Sequence, residues 1–172
     1  PIAILNDTLA TTTITNSAFY MNSQFAISNT SGSNVVNAVQ NWWGDGNGPY
    51  HSTNGAAIGD KVSDRVTFSS WLTTRPFTLP THIGIYPVST LTTTASTTIG
   101  VDTTWTLAQS PYIINSDVTV NAGIRLTIQP GVVVKLATGR SLVINGILDA
   151  VGTANQRIVF TSLKDDSIAG DS

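Results

Sequence analysis

Two groups of residues in this chain of 172 have types and spacings suited to chemistry. The first is aromatic. Trp42 and Trp43 are adjacent and Tyr50 follows closely. Flat rings held together make a platform on which sugar rings stack, so these three are candidates for glycan binding. The competing reading is structural: the Gly48-Pro49 context suits a tight turn that would fold the indoles over an open core as a hydrophobic cap. The cap is the preferred reading. The second group is made of hard oxygen donors. Asp45, Asn47, Asp60 and Asp64 are candidates to gather around Ca²⁺, with Asp165, Asp166 and Asp171 as a separate polar run. Asp and Asn are also ordinary turn residues, so calcium is an alternative here, and no other cofactor is called for.

Enzyme chemistry finds little support. His51 and His82 stand isolated, with no carboxylate at metal or triad spacing, and read as surface or turn residues. No HExxH, GxSxG or phosphate-cradling glycine loop occurs. Polysaccharide cleavage needs clustered carboxylates and a positioned base. Here Asp102, Asp117 and Asp149 are scattered, and Lys135 and Arg140 flank turns without forming a cluster. The expectation is a non-enzymatic protein.

The elements that would position these residues are strands. Lys, Arg, Asp and Glu make up only 10% of the chain, and all ten acids are Asp. Without Glu and with few Lys, helix is disfavoured. Thr, Val and Ile are abundant and suit a pleated, half-buried surface. Ser, Asn and Gly supply turns. The net charge is −2 and the basic residues are scattered, so no footprint for nucleic acid exists. No apolar run approaches the roughly 20 residues of a membrane span. The absence of cysteine excludes disulfides and thiolate metal sites. A Thr/Asn-rich, Lys-poor composition of this kind is typical of exported proteins, so an extracellular or cell-surface location is expected. Two glycosylation sequons, Asn6-Asp7-Thr8 and Asn29-Thr30-Ser31, arise easily by chance in such a chain. Pro1 is not an initiator, so the chain is expected to be processed or to be a window on a longer polypeptide.

Three regions follow along the chain. Residues 1–72 carry short β-rich runs, and Ile14-Thr15-Asn16 recurs in kind as Val39-Gln40-Asn41. Residues 73–108 are rich in Thr, Ser and Pro and read as an extended linker. Residues 109–172 show the clearest order: Leu126-Thr127-Ile128, Leu142-Val143-Ile144 and Ile158-Val159-Phe160 begin 16 residues apart. Turn residues such as Asn121-Ala122-Gly123 and Asn145-Gly146 separate them. An Asn-Gly pair also suits an antiparallel hairpin, which would give a sandwich or barrel instead.

The stretch Asn41-Trp42-Trp43-Gly44-Asp45-Gly46-Asn47-Gly48-Pro49-Tyr50-His51, continued by Gly59-Asp60-Lys61-Val62 and by Val66-Thr67-Phe68-Ser69-Ser70-Trp71-Leu72, resembles the closing coil of right-handed parallel β-helix repeat proteins of the pectin-lyase-like type. Trp105 to Tyr112, Val118-Thr119-Val120 and Leu126 to Leu136 resemble the opening coils of the same family. The terminal Asp165-Asp166 run resembles family insertions that lead into calcium loops. The resemblance implies an all-β fold of two right-handed parallel β-helix (β-solenoid) segments. Residues 1–72 would be the end of one and 109–172 the start of another.

On that reading Leu126/Ile128, Leu142/Ile144 and Ile158/Phe160 would stack as core columns. Trp42, Trp43 and Trp71 would cap one unit, and Trp105 and Tyr112 the other. The ends near residues 1 and 172 would lie open as sheet edges. The expected function is that of an extracellular structural protein, an adhesin-like stalk or a filament or sheath subunit. Its expected partner is a further copy stacked head to tail, or the continuation of a longer chain. The alternatives are a carbohydrate-binding module and a fragment of a polysaccharide lyase or hydrolase.

Overall fold

The structure is a computed structural model that describes residues 2–7, 10–76 and 97–168. In the first half the strands are β1 (Ile2–Asn6), β2 (Thr11–Thr15), β3 (Ser17–Tyr20), β4 (Phe25–Asn29), β5 (Val36–Asn37) and β6 (Val66–Thr67). In the second they are β7 (Thr98–Ile99), β8 (Thr103–Trp105), β9 (Tyr112–Ile114), β10 (Val118–Val120), β11 (Arg125–Ile128), β12 (Val133–Leu136), β13 (Leu142–Ile144), β14 (Ile147–Val151) and β15 (Ile158–Ser162). Helix among the described residues is limited to one 3-10 turn, Leu107–Gln109. This fits a chain whose β-branched residues alternate inward and outward, as in Val118-Thr119-Val120, where the valines are buried and the threonine is half-exposed.

The expected pair of separate β-helix segments is corrected by the sheet topology. The strands form three parallel sheets: a first of order β4-β1-β13-β10-β7, a second of order β6-β5-β2-β14-β11-β8 and a third of order β3-β15-β12-β9. Every sheet draws on both halves of the chain. Successive strands step from sheet to sheet, so β7, β8 and β9 form one layer, β10 to β12 the next and β13 to β15 a third. The layer that follows comes from the start of the chain: β1 lies on β13, β2 on β14 and β3 on β15. The ends expected to lie open are therefore paired with each other. The sequence pattern could not show this, because two stretches that each bury one side of a layer look the same whether they meet or stand apart.

The 16-residue spacing is not a stacking period either. Leu126-Thr127-Ile128 lies in the second sheet, Leu142-Val143-Ile144 in the first and Ile158-Val159-Phe160 in the third. Their inward residues are all buried, but the true columns join Val118 to Leu142 and Ile4, Leu126 to Leu148 and Thr12, and Val134 to Phe160 and Phe19. The spacing measures the distance from one sheet to another. The Ile14/Val39 similarity is likewise one residue out of register: Thr13 faces Asn37, and Asn16 and Gln40 share a left-handed corner, with φ of 48° and 59°.

The expected linker begins to fold before its end. Residues 98–105 form β7 and β8, because Ile99 and Trp105 have inward positions to fill and their Thr neighbours suit strands. Residues 77–96 lie outside the described part.

One apolar interior runs through all layers, from Trp105 and Tyr112 at one end to Trp43 and Val66 at the other. Each fully buried Leu, Ile or Phe contributes about 1.5–3 kcal/mol. The asparagines that enter this interior do so with partners in hand. The column Val120–Ile144 continues upward as Asn6–Asn29. The Asn6 side-chain amide donates to Asn29 Oδ1 at 3.0 Å, and Thr12 donates its hydroxyl to Asn6 Oδ1. Asn29 in turn donates to the carbonyls of Asn34 and Arg65, each at 2.9 Å. Both sequon asparagines are thus buried in the interior, which leaves no room for a glycan there. The corner between the first and second sheets is tight. A Cβ on Gly146 would lie 2.2 Å from the Asn121 carbonyl oxygen and 2.3 Å from that of Ile124, so only glycine fits.

Candidate functional site

The tandem tryptophans sit where the third sheet ends. A backbone bridge joins Trp42 to Ala18, so Trp43 continues the inward column above Phe19. The rings of Phe19 and Trp43 stack with centroids 4.9 Å apart, and those of Phe19 and Phe160 at 5.2 Å. Trp43 is fully buried, and Trp42 is 6% exposed on the other face of the sheet with Ala18, Tyr20 and Val159. A sugar platform needs an open ring face, so the stacking reading of Trp42 and Trp43 is corrected: both indoles are packing residues. Tyr50, 49% exposed, is the member of that trio with an accessible ring. Lys61 Nζ lies 4.5 Å from the Phe25 ring centroid and 5.9 Å from that of Tyr50.

Trp71 is half-buried and lies against Gly48, where a Cβ would come within 2.7 Å of its ring. Its indole N–H donates to the Gly46 carbonyl at 3.2 Å. Gly48 has φ of +87°, a conformation that glycine adopts freely, so the turn both bends the chain and admits the indole. At the opposite end Trp105 and Tyr112 stack at 4.6 Å and 11°. The Tyr112 hydroxyl accepts from the Thr106 N–H and donates to Gln109 Oε1.

The carboxylates do not converge. Asp45 accepts from the Asn47 N–H at 2.8 Å, a local turn contact in which Asn47 offers its backbone. Asp60 Oδ2 accepts from the side-chain amide of Asn22 at 2.6 Å and from its backbone N–H at 3.2 Å. Asp64 faces His51, with Nε2 to Oδ1 at 3.1 Å. Asp165 accepts from the Thr161 and Ser167 hydroxyls, and Asp166 is exposed. Among the described residues no group of three His, Cys, Asp or Glu side chains could hold a metal ion. The calcium grouping of Asp45, Asn47, Asp60 and Asp64 is therefore corrected, since each carboxylate is engaged by a different partner. Asp165 and Asp166 likewise form no such group. Asp171 and His82 lie outside the described residues.

Three arrangements escaped the sequence reading. His51 has a carboxylate partner after all, 13 residues on, and its Nδ1 lies 2.8 Å from the Thr53 hydroxyl. Asp60 is paired with Asn22, 38 positions earlier. Burial pushes the Asp60 carboxyl up to about 6, against the smaller opposing effect of the Asn22 hydrogen bonds. On the outer face of the third sheet, Arg75 sits 5.4 Å above the Tyr20 ring. Burial raises the Tyr20 phenol, with the nearby charge of Arg75 opposing. No short-range pattern marks the Asp60–Asn22 and Arg75–Tyr20 groups, because their members are far apart in sequence.

No family model matches the chain, and no solved structure does. Among curated proteins, a stretch of 55 residues is 49% identical to Protein bark beetle of Drosophila melanogaster. That stretch is 32% of this chain and 2% of the relative, so the chain spans only a small fraction of the length of the protein it resembles.

Proposed function

We propose that this chain is an extracellular structural module, a rigid length of stalk, sheath or filament that works without catalysis and associates with further copies of itself. The observation that carries the reading is the continuous interior. It runs unbroken through layers contributed by both halves, and Asn6, Asn29, Asn41 and Asp60 are spent on holding layers together. Such a body resists local opening, because its central layers are laddered to their neighbours on three sides. The local likeness to a far longer protein suits a module within a larger polypeptide. Among the described residues, no helix is long and apolar enough to cross a membrane.

Antibodies raised against the folded chain test the location. They are expected to label intact source cells or their surroundings. Labelling that needs permeabilisation would sink the surface assignment.

Carbohydrate binding is the second reading, and exposed Tyr50 beside Lys61 is the observation that favours it. A glycan array should then show binding that is lost in Tyr50→Ala and kept in Thr119→Ala. Equal binding by both variants, or none by the parent chain, removes this reading.

A further inference from the structure

The joint between β13–β15 and β1–β3 is built from contacts that a second copy of this chain would reproduce unchanged. Three parallel ladders make it: Ile4 to Asn6 beside Leu142 to Ile144, Thr11 to Thr15 beside Ile147 to Val151, and Ser17 to Tyr20 beside Ile158 to Thr161. Phe19 seals it by stacking on Phe160. Along the chain, the two sides of the joint are connected through residues 77–96. The span between the layer before residue 77 and the layer after residue 96 is about five strand spacings of about 4.8 Å each, and roughly 20 residues reach at most about 70 Å. The connection therefore permits closure onto the same chain and closure onto another.

The outer ends of the stack offer less. One is covered by stacked Trp105 and Tyr112, and the other carries Trp43 with Trp71 beside it. The joint is also selective in register. Sliding it by one residue would turn Leu5 inward and Asn6 outward, and would break the Asn6–Asn29–Thr12 hydrogen bonds.

We propose that this joint is exchangeable, so that β1–β3 of one copy dock on β13–β15 of another, reciprocally in a dimer or serially in a chain of copies. The proposal rests on the structural reading above and names its partner, a second copy of this chain. Closure within one chain competes at the effective concentration of a tethered partner, on the order of millimolar. Exchange is a minor state at micromolar concentration and grows as copies are crowded together. Exchange of identical elements is a low-cost route to assembly.

The absence of cysteine provides a clean test. Leu5 and Val143 are Cα partners across the joint, both half-buried on the outward face. Their backbone separation, about 4.8 Å in a parallel ladder, suits a disulfide. The double variant Leu5→Cys/Val143→Cys should form its bond within one chain in dilute solution and keep the size of a monomer. The two single variants, denatured and refolded together, should give a covalent heterodimer. Its fraction should rise at least tenfold from about 10 μM to about 500 μM, following the competition with tethered closure. Leu5→Cys mixed with Thr119→Cys, one layer out of register, is the control and should show only background. If the double variant links and the mixed singles never exceed that control, exchange is overturned while the joint stands. If the double variant fails to link, the joint itself is wrong, and the structural reading falls with the proposal.

Discussion

Phe160 and Phe19 are Cα partners in adjacent parallel strands, and their rings stack at 5.2 Å with an interplanar angle of 13°. Among the described residues, one belongs to the last strand and the other to the third. With Trp43 above Phe19, the three rings cross the joint between the two halves as one column. Phe19→Ala should therefore cost about 3–5 kcal/mol in chemical denaturation, the range for a large aromatic in a core. A double-mutant cycle with Phe160→Ala should reveal a coupling of about 0.5–1.5 kcal/mol beyond burial. A coupling of zero would mean that the halves do not meet there.

Asn41 is fully buried and uses its side chain three ways. It accepts from the Ser17 N–H and donates to the carbonyls of Ile14 and Ala38. Asn41→Ala strands these buried backbone groups, at about 1–3 kcal/mol for each left unpaired. Thermal unfolding should show a clear fall in Tm. Asn41→Asp should also destabilise, because a carboxylate cannot donate to two carbonyls.

Asp60 makes stability depend on pH with a definite sign. Its carboxyl titrates near 6 in the folded protein against 3.8 ordinarily, so the folded state holds the proton more tightly than the unfolded. The resulting stabilisation is full below about pH 4 and is lost as pH rises through about 6. Asp60→Asn should match the parent chain at pH 4 and exceed it at pH 7 by up to about 3 kcal/mol. Urea titrations of both proteins at the two pH values check this. A difference that does not change with pH would show that burial does not perturb this group.

Gly48 admits the Trp71 ring and holds a positive φ. Gly48→Ala places a methyl group 2.7 Å from that ring, so the indole must move. Overpacking of this kind costs about 1–3 kcal/mol. The emission of Trp71, isolated by replacing the other three tryptophans with Phe, should shift red as the ring meets water. An unchanged spectrum would indicate that the turn and the indole are not in contact.

Much of this molecule is legible in its residues. The strands follow from β-branched alternation such as Val118-Thr119-Val120, and the inward residues of the apolar triplets are buried as their pattern requires. The sites were less legible. Asp45, Asp60 and Asp64 look like one oxygen-rich cluster because they are near in sequence, yet their contacts are with Asn47, Asn22 and His51. Asn6 and Asn29 match a glycosylation sequon that arises easily by chance, and they hydrogen-bond to each other in the interior. Side-chain partners in stacked layers lie two dozen or more positions apart, as Asn6 and Asn29 or Phe19 and Phe160 do, beyond the reach of any local pattern.

The sequence by itself determined the class of the chain and its inward faces, because propensity and period-two alternation are properties of neighbouring residues. Which strand lies on which was decided by tertiary structure alone. Leu142 could pair with any strand that presents a matching face, and it pairs with both Val118 and Ile4. A parallel ladder is written in backbone hydrogen bonds that every residue but proline can make. The order of layers is set by how side chains such as Phe160, Phe19 and Trp43 fit together in three dimensions.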